Sequence, residues 1–562
     1  MTRPSAAAPR RRRASVTATM AALLAGVTAL LTGIPAARAE GPPPAGKAAW
    51  NPFLAAGMHA VQRVDAGQTS AFIASVSRGT FRPDLSDAPR IRSGPVNIMT
   101  FASPSPRFMW AVSSLRVAYL ELNPTQFTEI AGLDTGPAKA LAPDRLDALL
   151  RQPFAALPQL EEGIRREWGV DDRTWMELTE GTTCGVVDID NVLYINAGRG
   201  GAKLLAIGLV DPRRPQAGIR ILREIDLSGV LKPAPEVSGE GIVGLNMTYD
   251  GRLVVVGRRS LAVIERSLAG ERQVVPFGDD EIVWTGAAVD ERGGLYVASD
   301  RIMRKLVWNR FRLSARESDG AWSAPYDTGS SQPMVKRGIG TGATPALMGF
   351  GSDPDKLVVI TDGADRMRLV AFWREKIPNW FRERPYAKSL RIAGLIRATC
   401  GLTPEPGFLQ SRHSVVVHGY GAFVVNSVRS QGSANRLVDT LGSGPFFDLP
   451  AGAERFEWNP ADQLWRSVWT RPDVVSTTSA PVMSASSGIV LLHGYTKKDG
   501  WEVTGLDWNT GQPVHRTILG QNPMGNGGFG TLRFLAEKDL LFDSVAGPMR
   551  LQLDIQKRGP RS

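Results

Sequence analysis

Two cysteines and five histidines in 562 residues remove several classes of protein before any motif is sought. A disulfide-built scaffold needs far more cysteine; Cys184 and Cys400 can form one bridge at most. His59, His413, His418, His493 and His515 are too few and too scattered for a multi-histidine metal cluster. His413 and His418, five apart, cannot share one face of a strand. There is no CxxC, no haem-attachment pattern and no Gly-x-Ser-x-Gly elbow. A strong charge is also missing. The formal net charge of +11 includes Arg3, Arg10, Arg11, Arg12, Arg13 and Arg38 of the first 39 residues, where no acid occurs. Without that stretch 60 basic residues face 55 acidic ones, and this small excess gives no reason to expect nucleic acid as a partner. Glu161, Glu162, Arg165, Arg166 and Glu167 mix both signs within two helical turns, as a solvated face does.

What is present begins with an export signal. A basic stretch, Arg10 to Arg13, precedes an apolar run from Met20 to Leu31 and a small-residue site, Ala37-Arg38-Ala39, ahead of Glu40. The run is broken by Gly33 and Pro35 and falls short of the ~20 apolar residues that span a bilayer. We therefore expect cleavage, no stable membrane anchor afterwards, and a periplasmic or secreted product. Ala14 and Ser15 follow Arg12-Arg13 where a twin-arginine signal has apolar residues, which favours the general secretory route. No cysteine follows the cleavage site, which argues against a lipoprotein.

The remainder is long for one compact domain unless it repeats. Gly41-Pro42-Pro43-Pro44 is a stiff spacer, and residues 40–95 show no sustained period and read as an arm lying on the main body. Beyond Thr182 one unit recurs: a short apolar strand, a polar or glycine turn, and a second apolar strand ending in a small or polar residue. The inner members are Gly185 to Val187, Gly244 to Met247, Ala287 to Val289, Leu347 to Phe350, Val415 to Val417, Pro481 to Met483 and Leu532 to Phe534. Their partners include Val192 to Ile195, Leu253 to Val256, Leu357 to Ile360 and Phe423 to Val425. Copies start roughly 40 to 70 residues apart, the spacing of propeller blades. The expected fold is all-β: a β-propeller of about seven blades over 96–562. Phe108 to Leu122 would either complete the last blade or begin an eighth.

Two features interrupt the rhythm. Leu146, Leu149, Leu150, Phe154, Leu157 and Leu160 recur at helical spacing after the start signal Pro143-Asp144, predicting a helical insertion at about 138–170, broken at Pro153 and Pro158 and packed on the rim or over the mouth. Asp319-Gly320 predicts a hairpin turn between Leu313 and Trp322. Trp373, Trp380, Trp458, Trp465 and Trp469 gather in outer segments and read as packing between blades rather than a ligand cage. Gly525 to Gly530 precedes a strand and not a helix, so it reads as a flexible turn rather than a phosphate loop.

The candidate site follows from blade geometry. Residues closing the second strands, Asn196, Asp300, Asp362, Asn426, His493 and Asp543, should share one face, joined by Glu180 and Thr182. A ring of carboxylate and amide oxygens there would suit calcium or another divalent cation, which could polarise a carbonyl or activate water. The competing reading is structural, since Asp and Asn after a strand ordinarily bond nearby backbone.

Gly293 to Asp300, with Ile302 and Leu306, resembles the repeat of the gluconolactonase and strictosidine synthase-like propellers, and Val358 to Asp362 is similar. That resemblance implies an axial divalent cation held by Glu, Asn and Asp, with Glu180, Asn196, Asp362 and Asn426 as the candidate ligands. Leu506 to Gln512 looks like the Asp-x-x-Thr-Gly turn of quinoprotein dehydrogenase blades. The turn occurs once, His515 stands beyond it, and the two cysteines are far apart, all of which argues against a quinone. Thr341 to Asp362 and Ser479 to Gly511 also resemble a group of uncharacterised exported bacterial propellers. The expectation is a propeller that binds a small organic molecule at its axial polar face, either as a cation-dependent hydrolase or as a non-catalytic binding or scaffold module, with a quinoprotein-like oxidoreductase as a further alternative.

Overall fold

The computed structural model describes residues 46–55, 65–94, 97–123, 126–136, 139–151, 156–169, 178, 182–197, 201–235, 237, 241–330, 338–429, 433, 436–476, 479–528 and 530–553. The stretch read as an export signal lies outside them. Strands dominate and gather into eight sheets that follow one another along the chain. Their inner strands are Met99–Ala102, Gly185–Val187, Ile242–Met247, Ala288–Val289, Ala346–Met348, Val416–His418, Val482–Ser484 and Leu532–Phe534. In each sheet the strands that follow the inner one pair antiparallel outward in sequence order, except that the last strand of the fourth sheet returns to pair with its third. Consecutive inner strands touch from the first sheet to the fourth and from the fifth to the seventh, and the eighth sheet meets the first: Arg533 Nη1 donates to Thr100 O at 2.6 Å, while Leu541 packs with Met109 and Leu120. This succession of sheets around an axis is a β-propeller.

The second strands explain why the sequence reads as apolar runs instead of alternating patterns. Leu193–Ala197, Gly294–Ala298, Leu357–Thr361, Gly421–Val425 and Leu540–Ser544 are buried at every position. Each strand is covered by a neighbouring sheet on both faces, so neither face selects polar residues. Phe108–Val112 and Arg116–Asn123 belong to a first sheet of their own, with Met99–Ala102 and Gln126–Asp134; they do not complete the last one. The eighth sheet, with three strands, is extended instead by the amino-terminal arm, where Ile91 N donates to Pro548 O and Arg550 N to Pro89 O, each at 3.0 Å.

The arm is thus woven in. Ala71–Phe72 pairs parallel to the inner strand Val482–Ser484, and Gly79–Phe81 pairs parallel to the outer strand Pro513–Gly520 of the same sheet. The arm thereby gives backbone partners to both edge strands of the seventh sheet.

The insertion forms α1 (Pro143–Leu150) and α2 (Leu157–Trp168), with Pro143 in the first turn of α1 and Asp144 beside it. The break expected at Pro153 falls outside the described residues. Leu146, Leu149, Leu150, Leu160 and Ile164 form a buried face that packs on Leu437 and Leu441 of α3 (Arg436–Gly442) and on Leu532 and Val545 of the eighth sheet. α1 thus lies against the turn Pro523–Gly525 that leads into the eighth sheet, and α2 lies against α3. No helix among the described residues is long and apolar enough to cross a membrane.

Three local expectations are corrected or refined. Leu313–Ser314 and Trp322–Pro325 do not form a hairpin with each other. Both pair with Ile302–Trp308, and a short 3-10 turn ending at Gly320 loops out between them. The thiols of Cys184 and Cys400 are free and buried in different clusters, the one beside the first and second sheets and the other between the fifth and sixth. Gly525 to Gly528 is packed, not loose: a Cβ on Gly527 would lie 2.1 Å from Ser479 Oγ, so this approach requires glycine. The tryptophans do fill space between sheets. Trp373, Trp458 and Trp465 share one buried cluster, Trp458 Nε1 donates to Asp355 Oδ2 at 2.8 Å, and only Trp380 of the five is largely exposed.

Candidate functional site

An inner strand and its successor form an antiparallel hairpin, so the end of the second strand lies where the first begins. Asn196, Asp300, Asp362, Asn426, His493 and Asp543 occupy that end, and their side chains bond back to nearby protein. Asn196 Oδ1 accepts from Thr183 N at 2.9 Å and Cys184 N at 3.0 Å. Asp300 Oδ1 accepts from Ile282 N at 3.0 Å. Asp362 accepts from Arg368 N at 2.8 Å and Arg368 Nε at 2.7 Å, and burial pushes its carboxyl up to about 6 despite that pairing. Asn426 Nδ2 donates to Ala451 O at 3.1 Å and leaves Oδ1 without a partner. His493 Nε2 meets Gly525 O at 2.8 Å, and its ring stacks on Trp501. Asp543 Oδ2 accepts from Thr531 N at 3.2 Å and from the hydroxyls of Thr531 and Thr100. Thr182 is buried, and Glu180 lies outside the described residues. Among the described residues no group of three or more His, Cys, Asp or Glu is placed to hold a metal ion.

The opposite end of the axis is built differently. There the arm crosses the inner strands, and its carbonyls accept hydrogen bonds from one sheet after another. Ala66 O accepts from Val289 N at 2.7 Å and from Asn246 Nδ2 at 3.0 Å. Gly67 O, Thr69 O and Ser70 O accept from Leu347 N, Val417 N and Met483 N, each at 2.9 Å, and Phe72 O from Ala485 N at 2.8 Å. Gln68 and Ser70 adopt φ of 59° and 60°, left-handed turns that let five carbonyls in seven residues point at successive sheets. Inner-strand N–H groups facing an axis have no sheet neighbour, and the arm satisfies them.

Between this crossing segment, residues 46–55 and the turns after the inner strands lies a cavity of about 350 Å³. Ala48, Ala49, Trp50, Leu54, Phe72, Ile73, Phe350 and Val417 give it largely apolar walls; Lys47, Asn51, Asp65, Thr69, His418 and Ser486 supply the polar groups. Asp65 accepts from the Thr69 hydroxyl and from Thr69 N at 3.4 Å, and burial pushes its carboxyl up to about 6, against the hydrogen bonds that favour the charged form. His418 is half-buried. Its ring sits edge-on to Trp508 at 5.8 Å, Arg455 lies over the same indole at 4.8 Å, and burial together with the charges of Arg455 and Lys47 lowers the imidazole below its ordinary value. Asp353 Oδ2 anchors the segment by accepting from Gly46 N at 2.9 Å and Phe350 N at 2.7 Å.

The sequence-predicted residues and this cavity are at opposite ends of the hairpins. In the sequence His418 stands out only as one of five scattered histidines, and Lys47, Trp50 and Asp65 fall in an arm without periodicity. The Asp65 to Thr69 spacing, with its side chain-to-backbone bond, was the one local sign that the arm makes a fixed turn.

No protein-family model matches the chain. A protein of Archaeoglobus fulgidus described as uncharacterized is 30% identical over 320 residues, 54% of this chain and 59% of that protein, so the match spans less than two thirds of the relative's length. Similar solved structures include a putative 6-phosphogluconolactonase from Bacteroides fragilis, 12% identical with a TM-score of 0.36 over 60% of this chain and 84% of that one. A virginiamycin B lyase from Staphylococcus aureus is 9% identical with a TM-score of 0.34, covering 66% and 94%. A dihydro-heme d1 dehydrogenase in complex with DHE is 11% identical with a TM-score of 0.38, covering 78% and 77%. At these scores no residue and no activity is transferred from them.

Proposed function

We propose that this chain is an exported propeller, its eight sheets acting as eight blades, that binds a small and largely apolar organic molecule in the cavity under the crossing arm. The cavity carries the reading: about 350 Å³ walled mainly by apolar side chains with a few polar groups is how small-molecule sites are built, at the lower end of their usual ~300–1,000 Å³ range. Cleavage before Glu40 would leave every lining residue in the mature protein. Cation-assisted hydrolysis at the other end of the axis draws less support, because Asn196 and Asp362 commit their oxygens to backbone amides and to Arg368.

The test is a thermal-shift screen of small organic molecules on the mature protein and on an Ala49→Trp variant, which fills the cavity from its wall. Binders should raise the unfolding temperature of the former and lose that effect in the latter. A screen in which no compound binds, or in which binders act equally on both proteins, would refute the reading.

A further inference from the structure

Two of the cavity's polar groups are basic. Lys47 and His418 both line it, and the chain segments that carry them meet: a Cβ on Gly46 would lie 3.7 Å from Gly419 Cα. Among the described residues neither Lys47 nor His418 pairs with an acid. The neighbouring carboxylates are committed elsewhere: Asp353 to Gly46 N and Phe350 N, Glu457 to Arg455, and Asp65 to Thr69. Arg455 adds positive charge behind the imidazole across the Trp508 indole, and its Nε has no hydrogen-bond partner. The lining of an apolar cavity thus carries a cation and a half-buried N–H-bearing ring together with the apolar side chains of Trp50, Phe72, Ile73 and Phe350.

Resting on the binding reading above, we infer that the occupant is an organic monoanion: an apolar body bearing one carboxylate-like group, the charge seated between Lys47 and His418 and the body against Phe72, Phe350 and Trp50. A charge-assisted hydrogen bond in a partly desolvated site discriminates an anion from its neutral isostere, and a cation placed there meets like charge.

Three probes of one shape test this: 1-naphthoate, 1-naphthylmethanol and 1-naphthylmethylammonium, titrated into the mature protein with binding followed by calorimetry and by Trp50 emission. The naphthoate should bind at least about tenfold more tightly than the alcohol, and the ammonium more weakly than either. Lys47→Gln combined with His418→Gln should bring the naphthoate to within about threefold of the alcohol. A cooperative thermal unfolding transition like the parent's shows that the double variant is folded. Equal affinities for naphthoate and alcohol, or a naphthoate affinity untouched by the double variant, would overturn the anion inference while the cavity reading stands. Failure of all three probes to bind overturns both.

Discussion

Ser70→Pro is the sharpest probe of the crossing arm. Ser70 holds φ at 60°, which the proline ring, fixed near −65°, does not permit. The chain must therefore leave its path at this residue, and the two bonds that flank it go first: Val417 N to Thr69 O and Met483 N to Ser70 O, both 2.9 Å. At about 1 kcal/mol net for each, their loss lowers the local opening free energy by about 2 kcal/mol, roughly a thirtyfold acceleration of exchange. Amide hydrogen exchange read residue by residue measures it. Val417 and Met483 should accelerate most, with Leu347 and Ala485 following because their acceptors, Gly67 and Phe72, lie on the same segment. Val254 and Val255, whose strand is paired on both sides within the third sheet, provide the internal control and should not change. If Val417 and Met483 exchange at the parent rate while Val254 does too, the arm does not seal the inner edge and the argument for the axis is wrong.

Two further expectations concern buried charge. Arg533, fully buried, faces Asp543 where the eighth sheet meets the first, and burial lowers its guanidinium to about 10 and raises the Asp543 carboxyl to about 6; Arg533→Met should cost about 3 kcal/mol in urea unfolding at pH 7.5 by leaving that carboxylate uncompensated, and clearly less at pH 5, where Asp543 is protonated. His493 is held near 4 by burial, so the unfolded chain binds the extra proton between its ordinary pKa of 6.5 and 4, and native stability falls as pH drops through that window, by up to about 3 kcal/mol. His493→Gln, which can keep the bond to Gly525 O, should flatten this part of the stability profile; an unchanged profile would show that other groups produce it.

The blades were legible because their physics is local. A strand buried on both faces must be apolar throughout, so Leu253 to Val256 and Leu357 to Ile360 announce themselves, and α1 announces itself through Pro143, Asp144 and the spacing of Leu146, Leu149 and Leu150. The first sheet was harder to count: Phe108 to Leu122 reads as blade material, but which sheet it joins is decided by pairing with Met99–Ala102 and Gln126–Asp134 that no local pattern encodes. The arm was least legible. Its ordering comes from main-chain carbonyls, which every residue carries, so Ala66, Gly67, Thr69 and Ser70 leave no compositional trace of where they bond. The polar ends of the second strands are ambiguous for a related reason: Asn and Asp suit a hard cation and suit a hairpin's spare N–H groups equally well, and residue type alone does not separate the two uses.

The segment Ala66 to Phe72 bridges the inner strands, and its Ala66, Thr69, Ala71 and Phe72 line the cavity, so the two properties are thermodynamically linked. A ligand that needs the arm in place adds RT ln(1 + [L]/Kd) to the free energy of displacing it, about 2.7 kcal/mol at a hundredfold excess over Kd. In the parent protein, 1-naphthoate at that excess should slow exchange of Leu347, Val417, Met483 and Ala485 by roughly a hundredfold and leave Val254 untouched, because the third sheet's own pairing does not depend on the arm. In Ser70→Pro the probe should bind more weakly by the factor that the arm's opening has gained, since only the closed arm completes the wall. Tight binding to Ser70→Pro with its arm amides still exposed would mean that the cavity is formed without the crossing segment, and the coupling would then have no structural basis.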